Sequence, residues 1–428
     1  LLSKQLKKHP KMKKLIILLS LLPLLITAQE ITLDSCISAA KQNWPAFKKQ
    51  LTITSQRQLI NETLNKNYLP KMNLSGQATY QSEVVTFPEV PTMPGFFPEI
   101  PQDNYSVEIG INQIIWDGGA VKSAKEVQYA ANDIEAQKLN VETYGLIGKI
   151  NQLYSNYLYL NKSKSILQVS ENELEKNLNT LNSAYENGTL LKSDLDNIKA
   201  EKLKLQKELI VVESSRLNVI HSLNLITGLN LDTNYRFAEP IIQPAKGGVR
   251  PELALMDAQV NYTNSTISKF KTNRMPKFSA FGRAGYGRPG YDFLNTDLHG
   301  YYMVGARFTW EIFDWNLFKK QKEQVTLQQQ IIRDSKATLE KQISLEESQY
   351  LFEIAQLKKQ IEIDKEIVTL KKSVYKSAES QMNNGSITST EYLKLFNEWK
   401  RAKLTAEIDK LKLITAQLNY HHTAAGGY

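Results

Sequence analysis

Leu69-Pro70-Lys71-Met72-Asn73-Leu74-Ser75-Gly76-Gln77-Ala78-Thr79-Tyr80 is the stretch on which the fold of this 428-residue chain turns. After the proline, Met72, Leu74, Gly76, Ala78 and Tyr80 alternate with Lys71, Asn73, Ser75, Gln77 and Thr79. The same rule of two governs Tyr105, Val107, Ile109 and Ile111 against Ser106, Glu108, Gly110 and Asn112. It recurs in Phe278, Ala280, Gly282, Ala284 and Tyr286, and again in Tyr302, Val304, Ala306, Phe308, Trp310 and Ile312 against Tyr301, Met303, Gly305, Arg307, Thr309 and Glu311. Alternation with charges on one face fits a half-buried sheet or a transmembrane barrel wall with lipid outside and water inside. Strands of about ten residues exceed the usual five or six and match a tilted crossing of ~25 Å of hydrocarbon. The reading predicts strands at about 70–80, 104–116, 277–287 and 301–313. Tyr80, Tyr105, Trp116, Tyr286, Tyr301 and Trp310 at their ends suit an interfacial girdle. Four strands cannot close a barrel, and open edges in lipid leave backbone groups unpaired at several kcal/mol each. Membrane strands therefore require several copies of the chain, with two, three or four all open at this point.

Working outward, the chain is duplicated. Leu69-Pro70-Lys71-Met72 recurs as Met275-Pro276-Lys277-Phe278, Ile115-Trp116-Asp117-Gly118 as Ile312-Phe313-Asp314-Trp315, and Asn187-Gly188-Thr189 as Asn384-Gly385-Ser386. Asp117 to Gly188 and Asp314 to Gly385 are both 71 residues. Pro70 to Asp117 is 47 residues and Pro276 to Asp314 is 38, so the first half carries about nine more, placed in the proline-rich Phe87 to Pro101. Each half reads as helix, strand, loop, strand, long helix, tight turn, long helix. The predicted divisions are repeat 1 at 29–230, a linker at 231–249 marked by Pro240, Pro244, Gly247 and Gly248, and repeat 2 at 250–428.

No proline lies between Asp117 and Gly188, and apolar residues recur at Ala120, Ala124, Val127, Ala131 and Ile134, then at Leu174, Leu178, Leu181 and Tyr185. Tyr350, Ile354, Leu357 and Ile361 repeat the pattern. Steps of four and three make a coiled-coil seam, and roughly 70 residues at ~1.5 Å each give a helix of ~100 Å. Partner helices return from Lys192 to about Thr227 and from Glu391 to about Asn419. Gly188 and Gly385 are predicted left-handed caps, with Thr189 or Ser193 and Ser386 or Ser389 as the new N-caps. Asp194 and Glu391, each six after its glycine, fall in first turns, where negative charge complements the helix dipole.

Composition excludes much chemistry. One cysteine, Cys36, rules out an intramolecular disulfide framework or thiolate zinc cluster, and five histidines leave little for a metal site. There is no G-x-S-x-G, phosphate loop or metal-ligand spacing, and the glycines of Gly282 to Gly287 lack a following helix. No cofactor, metal or catalytic residue is expected. The charge of +9 is concentrated in Lys4, Lys7, Lys8, Lys11, Lys13 and Lys14; without them 47 basic residues face 44 acidic, so nucleic acid is not the expected partner. Met12 to Ala28 has a basic start, an apolar run from Leu15 to Ile26 and a small residue before Gln29, which reads as a cleaved secretory signal after an upstream extension. Cys36 lies eight residues past Ala28, the wrong place for a lipoprotein signal.

At these landmarks the chain resembles the TolC-like outer-membrane efflux proteins over nearly all of the mature sequence. Thr32-Leu33-Asp34-Ser35-Cys36 through Asn43-Trp44-Pro45 resembles the family's opening helix, with Trp44 inserted in the usual Asn-Pro pair. Tyr68 to Met72 resembles its first strand, Asp117-Gly118-Gly119 its turn into the long helix, and Gly188 with Asp194 the tip of the hairpin. The resemblance implies a mixed α and β membrane protein: a homotrimer with a twelve-stranded β-barrel in outer-membrane lipid, continued by a twelve-helix α-barrel tunnel in the periplasm. It implies a passive exit duct of a tripartite efflux or type I secretion system, served by an inner-membrane pump and a periplasmic adaptor. The Phe87–Pro101 and Gly287–Gly300 loops would be extracellular. Asn187, Gly188, Thr189, Asn384, Gly385 and Ser386 would form the periplasmic tips that meet the adaptor. Asp194 and Glu391 fall where family members narrow the tunnel with acidic rings, making them and Lys394 the candidate aperture. The chain departs from the family at Glu391 for Asp, at Lys394 for a second acid and at Ile387 for a basic residue. It departs again at Asp314-Trp315-Asn316 for Asp-Gly-Gly, from which a differently shaped second turn is expected. The competing reading is a periplasmic coiled-coil scaffold or adaptor without a barrel; the four alternating strands with aromatic ends weigh against it.

Overall fold

A computed structural model describes residues 30–88, 91–188, 191–242 and 247–424. The predicted signal, and Thr189 among the predicted tip residues, lie outside these. The elements in order are β1 (Glu30–Ile31), α1 (Leu33–Asn43), α2 (Lys48–Asn65), β2 (Lys71–Tyr80), β3 (Asp103–Trp116), α3 (Ala120–Glu186), α4 (Lys192–Thr227), β4 (Arg236–Phe237), α5 (Pro251–Asn273), β5 (Lys277–Arg288), β6 (His299–Thr309), α6 (Leu317–Asn383) and α7 (Ser389–Thr423). Two compact units form, each drawing on both halves of the sequence. One combines the described residues up to Trp44, Leu146–Gly247 and those from Glu346 on; the other combines Pro45–Gly145 and Gly248–Leu345. No helix among the described residues is long and apolar enough to cross a membrane.

The second unit holds an antiparallel sheet in the order β2-β3-β5-β6. Its register aligns the apolar alternates of all four strands: Leu74 opposes Ile109, Ile109 opposes Ala284, and Ala284 opposes Tyr302. One continuous apolar face results, and it is bare, with Leu74 71% and Val304 77% exposed. Trp116, Phe278, Phe308 and Trp310 line its helix-side end, the Phe278 and Phe308 rings 4.8 Å apart. Tyr301 does not belong to such a girdle. It stands opposite Gly285 on the polar face, where a Cβ on Gly285 would meet its ring at 2.5 Å.

The fourth strand is shorter than the alternation suggests, ending at Thr309 instead of near Phe313. Its ladder runs out because the partner β5 begins at Lys277, immediately after Pro276, which has no N–H to donate. Trp310 instead gives its indole N–H to the Arg274 carbonyl at 3.1 Å. β3 reaches Trp116 by bulging between Ile114 and Trp116 to meet Phe278.

Each strand pair feeds a long helix through a turn capped by an aspartate. Asp117 accepts from the N–H groups of Gly119 (2.9 Å) and Val121 (2.6 Å), and Asp314 from those of Asn316 and Phe318, both at 3.1 Å. Gly118 and Gly119 have φ of +68° and +86°, and Trp315 and Asn316 have +51° and +64°. The second turn therefore keeps the shape of the first, against expectation. Its two left-handed residues are held by the same bidentate carboxylate cap. Along α3, Val127 of the expected stripe is buried, together with Val121 and Ala130, while the expected Ala120, Ala124, Ala131 and Ile134 are only half-buried. α2 follows α3 through Lys49–Glu142 (2.8 Å) and Arg57–Asp133 (3.1 Å), and α5 follows α6 through Lys336–Asp257 (2.6 Å).

In the first unit, α1 starts with a capping box in which Thr32 and Ser35 bond each other's backbone N–H groups. Its buried face is Leu33, Cys36, Ile37 and Ala40. Burial raises the Cys36 thiol to about 11, which makes it an inert core residue. The stretch predicted as linker contains β4, whose Arg236 and Phe237 pair in parallel with Glu30 and Ile31. The Tyr154 hydroxyl lies 2.7 Å from the carbonyls of both Ile31 and Ala238, pinning that pair.

Candidate functional site

The predicted tips are built by the ends of the four long helices in the first unit. α3 stops at Glu186, and Gly188, with φ +74°, closes the turn by donating its N–H to the Tyr185 carbonyl at 2.9 Å. α6 stops at Asn383. Gly385, with φ +71°, donates to Met382 at 3.0 Å, and Ser386 donates to Gln381 at 2.9 Å, satisfying the last carbonyls of the helix. Asn187, Gly188, Asn384, Gly385 and Ser386 are all exposed, and a Cβ on either glycine would meet nothing within 4 Å. Backbone conformation, and not crowding, is what asks for glycine there.

The returning helices restart differently from each other. α4 begins at Lys192 behind Leu191, which provides no side-chain cap. α7 begins at Ser389 behind Thr388, whose hydroxyl accepts from the Glu391 N–H at 3.3 Å. The N-caps are thus Leu191 and Thr388, and not Ser193, Ser386 or Ser389. Ser389 is buried, and its N–H and hydroxyl both donate to one carboxylate oxygen of Asp194, at 3.1 and 2.5 Å. Asn197 adds a bond from its amide to the Ser389 hydroxyl at 3.3 Å. Asp194 therefore caps the opposite hairpin's helix, a charge-assisted contact worth roughly 1.5–3 kcal/mol. Glu391 and Lys394 are exposed, and among the described residues no hydrogen bond or ion pair joins either to Asp194. The three candidate aperture residues are not brought together within one chain.

Under the tips lies a core to which all four helices contribute: Leu174, Leu178 and Leu181 of α3, Leu195, Ile198 and Leu205 of α4, Tyr375 and Met382 of α6, and Tyr392, Phe396 and Trp399 of α7. Tyr375 stacks on Trp399 with centroids 4.8 Å apart and meets Phe396 edge-on at 5.6 Å. Its hydroxyl donates to Glu173, while the Asn177 amide donates to the Tyr392 hydroxyl. Burial first, then the Glu173 carboxylate, raises the Tyr375 phenol far above its ordinary value; burial does the same for Tyr392. Both phenols stay neutral and act as bonded struts between the hairpins.

A family model described as outer membrane efflux protein matches residues 36–229 and 248–419. The chain belongs to the outer membrane efflux protein family. This efflux protein is similar in fold to CusC, with a TM-score of 0.72, 12% identity and 92% of each chain covered. It is likewise similar to the Campylobacter jejuni CmeC outer membrane channel (0.69, 13% identity, 92% of this chain and 86% of that one). A third similar structure is the outer membrane protein VceC of Vibrio cholerae (0.70, 14% identity, 92% and 96%). No curated protein matches the efflux protein by sequence.

Sequence reasoning does not reach the interlocks of this efflux protein's tips: Glu173, Asn177 and the aromatic group go unnamed, and Ser389 is named only as a candidate N-cap. A signal for the aromatic group was present: Tyr392, Phe396 and Trp399 follow one another at steps of four and three along one helical face. Asp194 was singled out for its position, but its partner Ser389 sits 195 residues away, with nothing local to reveal it.

Proposed function

We propose that three copies of this chain form a twelve-stranded barrel in the outer membrane continued by a twelve-helix periplasmic tunnel. Through it, substrates delivered by an inner-membrane pump and periplasmic adaptor leave the cell without chemical change. The observation that carries the reading is the four-stranded sheet whose apolar alternates align into one bare face and whose outer strands, β2 and β6, pair with no further strand among the described residues. Such a sheet is stable in lipid only if copies complete each other's edges. The helices support the same assembly. Leu203, Ile210 and Leu217 are exposed at steps of seven on α4, and Ile363, Ile367, Leu370 and Val374 are exposed at steps of four and three on α6. Unpartnered heptad seams of this kind call for neighbouring helices.

In this reading the Phe87–Pro101 and Gly287–Gly300 loops face the exterior, and the export signal at Met12–Ala28 is removed without lipidation. Asn187, Gly188, Thr189, Asn384, Gly385 and Ser386 meet the adaptor. Glu391 and Lys394, exposed beside the tip, are the aperture residues available to neighbouring copies, whereas Asp194 is engaged within its own chain. Outer-membrane extracts are expected to contain heat-modifiable trimers, and the purified protein to conduct in planar bilayers; a monodisperse protein soluble without detergent defeats the proposal. Gly188→Val and Gly385→Val force a β-branched residue into a left-handed conformation at about 1–2 kcal/mol each. They are expected to abolish adaptor capture while leaving the heat-modifiable trimer intact. Normal export by both variants contradicts the assignment of the tips.

A further inference from the structure

The polar face of the sheet is not neutral. Register puts Lys71, Asn112 and Phe281 on one face with Gly305, and Glu108, Gly110 and Arg283 on that same face with Met303. Lys277 and Arg307, opposite Thr309 and Ser279, share it. The four strands thus turn Lys71, Lys277, Arg283 and Arg307 to this side against the single carboxylate of Glu108, a surplus of three positive charges per chain. The apolar side bears charge only at its rim, where Arg288 and Asp103 neutralise each other at 2.6 Å.

The two arginines share one anchor. The Phe281 ring lies over Gly305, where a Cβ would come within 2.8 Å of it. Its centroid is 5.9 Å from the Arg283 guanidinium carbon and 5.5 Å from that of Arg307. Both distances are within cation–π reach. Glu108 stands 3.8 Å from Arg283, too far for a tight bidentate pair, and Arg283 and Arg307 are exposed. An aromatic ring holds these guanidiniums in place without quenching their charge, and a guanidinium does not lose its proton in the working pH range.

We propose that this face is an anion-favouring lane of the duct, with Arg283, Phe281 and Arg307 its principal contact point, so that the barrel selects for anionic solutes. The proposal rests on the trimeric reading, in which the face lines the bore and its charge is tripled. Fixed charge of one sign on low-dielectric walls raises the local concentration of the opposite ion. The lane thereby counters any preference for cations set at the helical tips.

The test is the zero-current potential of the purified full-length protein in planar bilayers under a potassium chloride gradient. Wild type is compared with Arg283→Gln/Arg307→Gln, and with Arg307→Lys as the charge-keeping control. The double variant is expected to lower the ratio of chloride to potassium permeability by at least about twofold near 0.1 M salt. The change is expected to shrink near 1 M, where the Debye length falls to ~3 Å. Arg307→Lys is expected to match wild type. Channels that form normally but show the same ratio in wild type and double variant overturn the lane and leave the trimer standing. Wild-type protein that never conducts overturns the trimeric reading itself. If the double variant fails to assemble, Arg307→Gln alone carries the comparison on the same terms.

Discussion

Counted from their tip glycines, the two helical hairpins place different chemistry at equivalent positions. Leu178 and Leu195 of the first correspond to Tyr375 and Tyr392 of the second, and Lys199 and Lys202 to Phe396 and Trp399. Leu191, a helix start without a side-chain cap, corresponds to Thr388, which caps. Asp194 crosses to the other hairpin, but its counterpart Glu391 does not cross back. The duplicated backbone has thus been kept while the bonds between hairpins have become one-sided: α6 and α7 supply the aromatic mass, and α3 and α4 supply the acceptors Glu173 and Asp194 that hold it. Chain reversal needs only glycine and helix propensity on each side, whereas cohesion of the tip depends on which hairpin is altered.

The largest break in that comparison is expected from Tyr375→Ala. It empties a fully buried aromatic site stacked on Trp399, at about 3–5 kcal/mol. Tyr375→Leu, which installs the residue type found at the equivalent Leu178, is expected to cost less, about 1–3 kcal/mol, because an apolar side chain still fills most of the site although the ring contacts and the hydroxyl's bonds to Glu173, Glu379 and Lys376 are lost. Thermal unfolding in detergent checks both, and equal losses would mean that filling the site contributes nothing beyond the ring and hydroxyl contacts that both variants lose. Next comes Asp194→Ala, expected to cost roughly 1.5–3 kcal/mol by removing both bonds to Ser389. Glu391→Ala should stay within about 0.5 kcal/mol, as an exposed residue does. Equal effects would erase the asymmetry of the two restarts.

The strand-to-helix turns compare the halves in another way. Gly118 and Trp315 hold the same left-handed conformation, but a Cβ on Gly118 would strike Met275 at 2.5 Å, while Trp315 stands 85% exposed. Gly118→Ala is expected to destabilise by about 2 kcal/mol, and Trp315→Gly to stabilise by up to ~1 kcal/mol through relief of backbone strain. Urea unfolding midpoints distinguish the signs.

What the residues disclosed in advance follows the range of the forces involved. Strand alternation, the long proline-free helices and the glycine reversals are local patterns, and β2, β3, β5, α3, α4 and α6 are where those patterns place them. β6 stops early because its partner's Pro276 fixes the ladder, a cross-strand matter that alternation in β6 itself cannot contain. The turn at Trp315 departs from expectation because glycine is not the cause of its conformation: the Asp314 carboxylate, bonded to two N–H groups, sets it. Most of the tip's cohesion was hidden for a similar reason: Asp194–Ser389, Glu173–Tyr375 and Asn177–Tyr392 each join residues about two hundred positions apart, and no window of sequence holds both partners.

The smallest effect separates the hairpins by pH. Leu167 and Val212, an apolar pair in the first hairpin, correspond to Asp364 and Asp409 in the second. Burial, followed by the charge of Asp409, raises the Asp364 carboxyl above its ordinary 3.8, and Lys412, bonded to Asp409 at 2.9 Å, offsets this only in part. A carboxyl whose value is raised by folding binds its proton more tightly in the folded chain. Its favourable contribution is complete below 3.8 and is lost as pH climbs through the raised value, so at neutral pH the ionised pair weakens the packing of α6 on α7. Asp364→Asn, which cannot ionise, is expected to raise the melting temperature at pH 7 and to lose that advantage below pH 4. The first hairpin, where Leu167 is already buried, has no such dependence to remove. A melting temperature for Asp364→Asn that tracks wild type at every pH would show that the two carboxyls do not feel each other, and the hairpins would then differ at the tip alone.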